Sequence, residues 1–197
     1  MNHDLVDEIN YMIDLLTKSG FFSIDEIIEI LEDQFIDYEI DFSKFNISLN
    51  DFNNKNFSIL EEIFKKLAKK SIICVHNCGY DFKEGVDDIY ELYIHLINNN
   101  YSCEGFCFYT FEDVERVIDQ NILKLTFGDF DRDENKSLKI GNIIYQSLID
   151  ANFNVKWDKN VNCPIEIIDF EWDKKFSEDT EYEIEGAYDL FIGVINE

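Results

Sequence analysis

Residues Ile122–Phe127, ILKLTF, put Leu123, Leu125 and Phe127 on one face of an extended chain, with Lys124 and Thr126 on the other. A strand patterned this way has one side against the core and one side in water. One side of this strand is therefore expected to be wet, and because the last strands of the chain follow one another with short turns, the sheet is expected to be mixed rather than wholly parallel. The neighbouring segments fit. Upstream, Thr110 is placed to cap a short helix over FEDVERVI, and EGFCFY before it has strand composition. Earlier still, Ile89, Leu92, Tyr93, Leu96 and Ile97 mark an amphipathic helix ended by Asn98-Asn99-Asn100. NCGYDFKEG reads as a loop, and SIICVH, from Ser71, as a short buried strand. Downstream, a helix is expected over about Leu138–Ala151. Two strands follow: FNVKW, with Phe153, Val155 and Trp157 inward, and PIEIIDFEW, with Pro164 at its start. An acidic stretch, SEDTEYEIEG, precedes the apolar AYDLFIGVI, which reads as a closing strand.

The first 70 residues are expected to be helical. Leu5, Ile9, Met12, Ile13 and Leu16 share a helical face that Ser19-Gly20 ends. Ser23 with Glu26 forms a capping box for a helix to about Phe35, with Phe22 and Ile27 spaced as a hydrophobic staple. After an Asn-rich connector, Ser58 with Glu61 has the pattern of a second capping box, opening a helix through Leu60, Ile63, Phe64 and Leu67. The sum is an α+β fold: a mixed, largely antiparallel sheet with packed helices, preceded by a helical N-terminal segment. Residues 1–70 are expected to pack on the domain formed by 71–197.

Charge is the strongest compositional fact. Forty-two acids against 17 bases leave −25 on 197 residues, and the nets over 1–70, 71–157 and 158–197 are −8, −8 and −9. The one dense basic run, Lys65-Lys66 with Lys69-Lys70, sits at the end of a predicted helix, where cations complement the macrodipole. Nucleic acid and anionic membrane are therefore excluded as expected direct partners, and a basic protein surface is favoured. Five cysteines, no basic leader at the start and no apolar run of membrane-spanning length point to a cytoplasmic chain with reduced thiols. The abundance of Ile, Asn, Lys, Phe and Tyr, all with AT-rich codons, points to a bacterium of low-GC genome.

Three features are candidates for chemistry. Asp129, Asp131 and Asp133, in FGDFDRDENKS, fit the first, third and fifth ligand positions of an EF-hand loop. Glu134 then stands where the sharp turn needs Gly, Ile140 stands where the bidentate Glu belongs, and the preceding element is a strand. The better reading is a solvated helix lead-in, since acids suit a helix N-terminus. CVHNC and CEGFC are two C-x3-C pairs, and Cys74, Cys78 and His76 are the metal candidates they offer. Against a four-thiolate site, residues four apart on a strand are about 13 Å apart, whereas each thiolate must lie about 2.3 Å from zinc. The third possibility is Cys–His catalysis, since a strand would align His76 with Cys74 and Cys78; no carboxylate partner or oxyanion loop accompanies them. His95 reads as structural. No phosphate-binding, dinucleotide-binding or nucleophile-elbow motif occurs, so no catalytic residue and no cofactor is assigned.

The stretches IICVHNCGYD, EGFCFYTFEDVERVIDQNILKLTFGDFD and IGNIIYQSLIDANFNVKWDKNVNCPIEIIDFEW resemble an uncharacterised bacterial family known only as a domain of unknown function. The resemblance covers residues 71 to about 175. It rests on Cys74, the Cys78-Gly79 turn, Gly105, Phe108-Tyr109, Glu115-Arg116, Phe127-Gly128, Trp157-Asp158 and Trp172. The chain departs from the pattern at Val75, where a second cysteine is expected, and in its longer acidic tail. The resemblance implies no activity. The sequence thus points to a non-catalytic, acidic protein-binding module of inhibitor or immunity type, engaging a basic protein. Two readings stand beside it: a metal protein or enzyme centred on Cys74, Cys78 and His76, and a small-ligand sensor using Tyr109, Trp157 and Trp172.

Overall fold

The computed structural model describes residues 3–182 and 184–196. Met1-Asn2 of the opening segment and Glu183 of the acidic stretch lie outside the described residues. In chain order the elements are α1 (His3–Ser19), α2 (Ile24–Gln34), a short 3-10 turn (Phe42–Lys44), α3 (Lys55–Ala68), β1 (Ile72–Val75), α4 (Phe82–Asn98), β2 (Gly105–Phe108), α5 (Phe111–Gln120), β3 (Ile122–Gly128), α6 (Glu134–Asp150), β4 (Asn154–Lys156), β5 (Ile165–Ile168) and α7 (Ile184–Ile195). The strands form one sheet in the order β1-β2-β3-β5-β4. β1 and β2 are parallel, joined through α4, and every other pairing is antiparallel. The α+β class and the mixed, largely antiparallel sheet are those expected from the order of elements and the short turns between the last strands.

The two halves of the sheet differ, and the sequence shows why. In β3, Leu123, Leu125 and Phe127 are buried, while Ile122, Lys124 and Thr126 are half-buried. On that outer side Lys124 and Lys156 flank Glu166 across the strands, at 3.6 and 3.9 Å. Opposite charges facing each other across strands suit a wet sheet face. β1 and β2 are instead buried at every position. Ile72, Cys74 and Cys107 face one hydrophobic cluster with β3 and β5, whereas Ile73, Val75, Phe106 and Phe108 face a second cluster with α4 and α7. Burial on both faces accounts for the unbroken apolar runs IICV and GFCF.

Four local expectations are corrected. AYDLFIGVI is not a strand but the body of α7, which packs on β1, α3 and α4. Ile184, Ala187, Tyr188, Phe191 and Ile192 recur at helical spacing, and their helix covers the outer side of the short edge strand β1. α4 begins at Phe82 inside the expected loop, because Asp81 accepts the Glu84 amide as an N-cap, 2.9 Å away. α6 starts at Glu134, four residues before the expected Leu138, capped by Asp133. Ser58 and Glu61 do not cap α3, which already begins at Lys55. The cap comes from far along the chain: the Asp173 carboxylate accepts the amides of Asn56 and Phe57 at 2.8 and 2.9 Å. The other capping box, Ser23 with Glu26 at the start of α2, is present as expected.

Candidate functional site

The chemistry-bearing residues begin at the end of β1. Cys74 lies opposite Cys107 in the parallel register, and both are buried. Burial, and then the neighbouring Cys107, push the Cys74 thiol well above its ordinary pKa, so it carries no thiolate. His76 follows on the same side, walled by aromatic rings. Phe64 stacks on it at 4.4 Å, Phe57 and Tyr182 pack at 5.1 and 5.7 Å, and Nδ1 lies 2.9 Å from the Tyr109 hydroxyl. A cavity of about 470 Å³ reaches Cys74, His76, Glu61 and Tyr182, where the Tyr182 hydroxyl donates to Glu61 at 3.0 Å.

Cys78 does not share that side. β1 ends at Val75, Asn77 takes a left-handed backbone (φ 51°), and Cys78 turns into the second cluster, where its thiol donates to the Gly85 carbonyl at 3.4 Å. Burial, and then Asp88, raise its pKa too. The expected alignment of Cys74, His76 and Cys78 on one face is therefore corrected. Among the described residues no three His, Cys, Asp or Glu side chains gather as metal ligands. Tyr109 and Trp172 are core residues, and Trp157 packs edge-on to Phe127 at 5.3 Å. His95 is exposed, against the ring of Tyr188.

The aspartate ladder divides into three separate tasks. Asp129 is buried and accepts from the Ser137 hydroxyl at 2.7 Å and the Asp131 amide at 3.0 Å. Asp131 pairs with Lys136. Asp133 accepts the amides of Asn135 and Lys136 at the start of α6, and those backbone donors hold its carboxyl below the ordinary range.

One residue the sequence reading passed over is Lys174. It is 1% exposed, with its ammonium 2.6 Å from the Gly20 carbonyl and 4.1, 4.6 and 5.1 Å from the ring centres of Tyr182, Phe21 and Phe57. Such an aromatic cage suits a desolvated cation, yet burial still lowers the Lys174 pKa to about 8. Gly20, at φ 71°, is required here because a side chain would strike the Lys174 carbonyl. No local pattern marks a lysine as buried, so only the neighbouring aromatics hint at the cage.

The same surroundings set the charge of His76. Burial, and then Lys174, lower its pKa from 6.5 to about 3. The folded value lies below the unfolded one, so the unfolded chain holds the extra proton between them. His76 therefore withdraws no stability above about pH 6.5, and stability falls as pH drops from there toward 3, by up to about 1.4 kcal/mol per pH unit. Urea melts of wild type and His76→Gln between pH 7.5 and 4.5 check this, with a shallower pH dependence expected for the variant. An unchanged slope contradicts it.

With these groups engaged in the interior, the surface carries the charge. One dense unbalanced part of it is the outer side of α2 and the turn after it. From residue 19 to 43 there are eight carboxylates and no lysine or arginine. Asp25, Glu29, Glu32, Asp33, Asp37 and Glu39 are exposed, and none has an ion-pair partner among the described residues. The flanking bases are engaged, Lys18 with Asp14 and Lys44 with Asp41. Beside the acids, Ile36 and Tyr38 stand 77% and 54% exposed. Ile27 and Leu31 anchor the opposite side of the helix in the core.

Among the described residues, no helix is long and apolar enough to cross a membrane. Neither the curated proteins nor the solved structures contain a significant match to the chain. Residues 53–176 match the family described as Domain of unknown function (DUF6891), taking in α3 as well as the segment from 71 to about 175 that carries the resemblance. With well over half of its length matched, from α3 through the Trp172-Asp173-Lys174 segment, the chain belongs to the DUF6891 family.

Proposed function

We propose that the protein is a non-catalytic binding module whose acidic surface engages a basic protein partner, in the manner of an inhibitor or immunity protein. The observation that carries this reading is the outer side of α2. There, exposed carboxylates without cations lie beside the exposed Ile36 and Tyr38. An interface of this kind combines long-range steering by charge with an apolar anchor. The interior supports it from the other direction: Cys74 and Cys78 have raised thiol pKa values, and His76 is neutral and enclosed by rings. None of the three is poised as a nucleophile or base.

The test is capture from a lysate of the source cells. Stoichiometric partners of high isoelectric point, released by raising the salt, are expected, because screening weakens contacts between exposed charges. Retained proteins without a basic bias, or unaffected by salt, contradict the reading.

A further inference from the structure

The cavity of about 470 Å³ beside His76 has a floor and a mouth of different character. Cys74 and His76, both buried at the end of β1, form the floor. α3 and α7 wall it, and residues 179–182 close the remaining side. The size falls within the roughly 300–1,000 Å³ of small-molecule sites.

His76 sets the chemistry of the floor. The Tyr109 hydroxyl is buried, and its one hydrogen-bond partner among the described residues is His76 Nδ1, 2.9 Å away. A buried hydroxyl gives its hydrogen to the acceptor within reach, so Nδ1 accepts and the single proton of the neutral ring sits on Nε2. Nε2 has no hydrogen-bond partner among the described residues, yet it is not sealed from solvent; the one side-chain atom in that sealed state is the Asn77 oxygen. His76 is 7% exposed, and it lines this cavity. A side chain more than nine-tenths buried thus presents an N–H donor to the cavity without a protein acceptor. The donors beside it are engaged, the Cys74 thiol with the Ile72 carbonyl at 3.7 Å and the Tyr182 hydroxyl with Glu61 at 3.0 Å.

The mouth is negative. Glu61 is half-buried on its side, and Asp179, Glu181 and Asp189 are exposed around it. None of the four has an ion-pair partner among the described residues. Lys65, which also lines the mouth, is held by Glu62 at 2.9 Å. The Thr180 hydroxyl, exposed at the rim, serves a donor or an acceptor equally. Between floor and mouth, Ala187 and Leu190 supply apolar wall.

We propose that this cavity binds a small cation headed by a neutral carbonyl group, such as an N-acylated diamine or an amino-acid amide. The carbonyl oxygen accepts from His76 Nε2, the link lies on Ala187 and Leu190, and the ammonium sits between Glu61 and the carboxylates of the mouth. A carboxylate head also satisfies Nε2–H, but brings like charge against Glu61. An amine without a carbonyl leaves the donor at the floor unmet. The inference does not rest on the acidic side of α2, whose carboxylates do not line this cavity.

Two measurements on the full chain test it. Long-range proton–nitrogen spectra of the imidazole rings at pH 7, assigned with His76→Phe, should show the His76 proton on Nε2; a proton on Nδ1 overturns the proposal. Amide chemical-shift titrations then compare N-acetylputrescine and glycinamide with putrescine, which lacks the carbonyl. N-butylacetamide and 4-acetamidobutyrate are the neutral and anionic controls. Saturable shifts at His76, residues 180–182 and Ala187 are expected with at least one carbonyl cation, and which one saturates gives the spacing of head and charge. His76→Phe should weaken that binding about tenfold while leaving putrescine unchanged, and Glu61→Gln should weaken it similarly. Failure of both carbonyl cations to saturate by ~10 mM overturns the proposal. It is equally overturned if putrescine or either control binds as well, or if the folded variants bind like wild type.

Discussion

Trp172→Ala should cost about 3–5 kcal/mol of folding stability, the range for emptying a large buried aromatic site. The indole is 6% exposed and packs against Phe21, Phe57, Tyr109 and Phe170 at 5.6 to 6.2 Å. Its Nε1–H donates to the Ser19 carbonyl at the end of α1, 3.1 Å away. The loss therefore combines a cavity with an unpaired buried carbonyl at the α1–α2 turn. Trp172→Phe keeps most of the packing and drops the hydrogen bond, so about 1–2 kcal/mol is expected for it. Urea denaturation measures both, and native-state hydrogen exchange should show α1 losing protection first in the Ala variant. A loss below about 1 kcal/mol for Trp172→Ala contradicts the packing described.

The second large effect is at the next residue. Asp173→Ala leaves the Asn56 and Phe57 amides at the start of α3 without acceptors, at a site where Asp173 itself is 6% exposed. A charge-assisted cap is worth more than a neutral one, so about 2–4 kcal/mol is expected. Asp173→Asn retains one acceptor oxygen and should recover part of that loss. The segment acts as a unit: Trp172 reaches Ser19, Asp173 caps α3, and Lys174 reaches Gly20. Equal stability of Asp173→Ala and wild type would remove the long-range cap from the account.

Much of the sheet is legible in the sequence because its signals are local. The alternation in Leu123, Leu125 and Phe127 reports a strand with one wet face, and the unbroken runs IICV and GFCF report strands covered on both. AYDLFIGVI misleads because a short apolar run has no decisive period. The helical spacing of Ile184, Ala187, Tyr188, Phe191 and Ile192 shows only when the residues before the run are counted. Ser58 and Glu61 satisfy a capping pattern that loses to Asp173, a partner that no local window contains. Lys174 is hidden for the same reason, since its cage is assembled from Phe21, Phe57 and Tyr182. The Cys74, His76 and Cys78 cluster dissolves on one backbone angle, the left-handed turn at Asn77, which spacing alone does not reveal. The acidity of the chain is plain from composition, whereas its concentration on the outer side of α2, next to Ile36 and Tyr38 in the turn that follows, depends on which side of that helix Ile27 and Leu31 bury.

The binding reading is tested most directly by reversing charge on α2 and, separately, elsewhere. Glu29→Lys, Glu32→Lys and Asp33→Lys together alter the proposed face. Glu91→Lys, Glu104→Lys and Asp150→Lys make the same change in net charge at exposed positions remote in sequence, on α4, in the loop before β2 and at the end of α6. Capture of the basic partner from source-cell lysate is then compared for wild type and both triple variants, each checked for an unchanged melting temperature. The account predicts that the α2 variant loses the partner and the control retains it. Equal loss in both, or retention by the α2 variant, would contradict it.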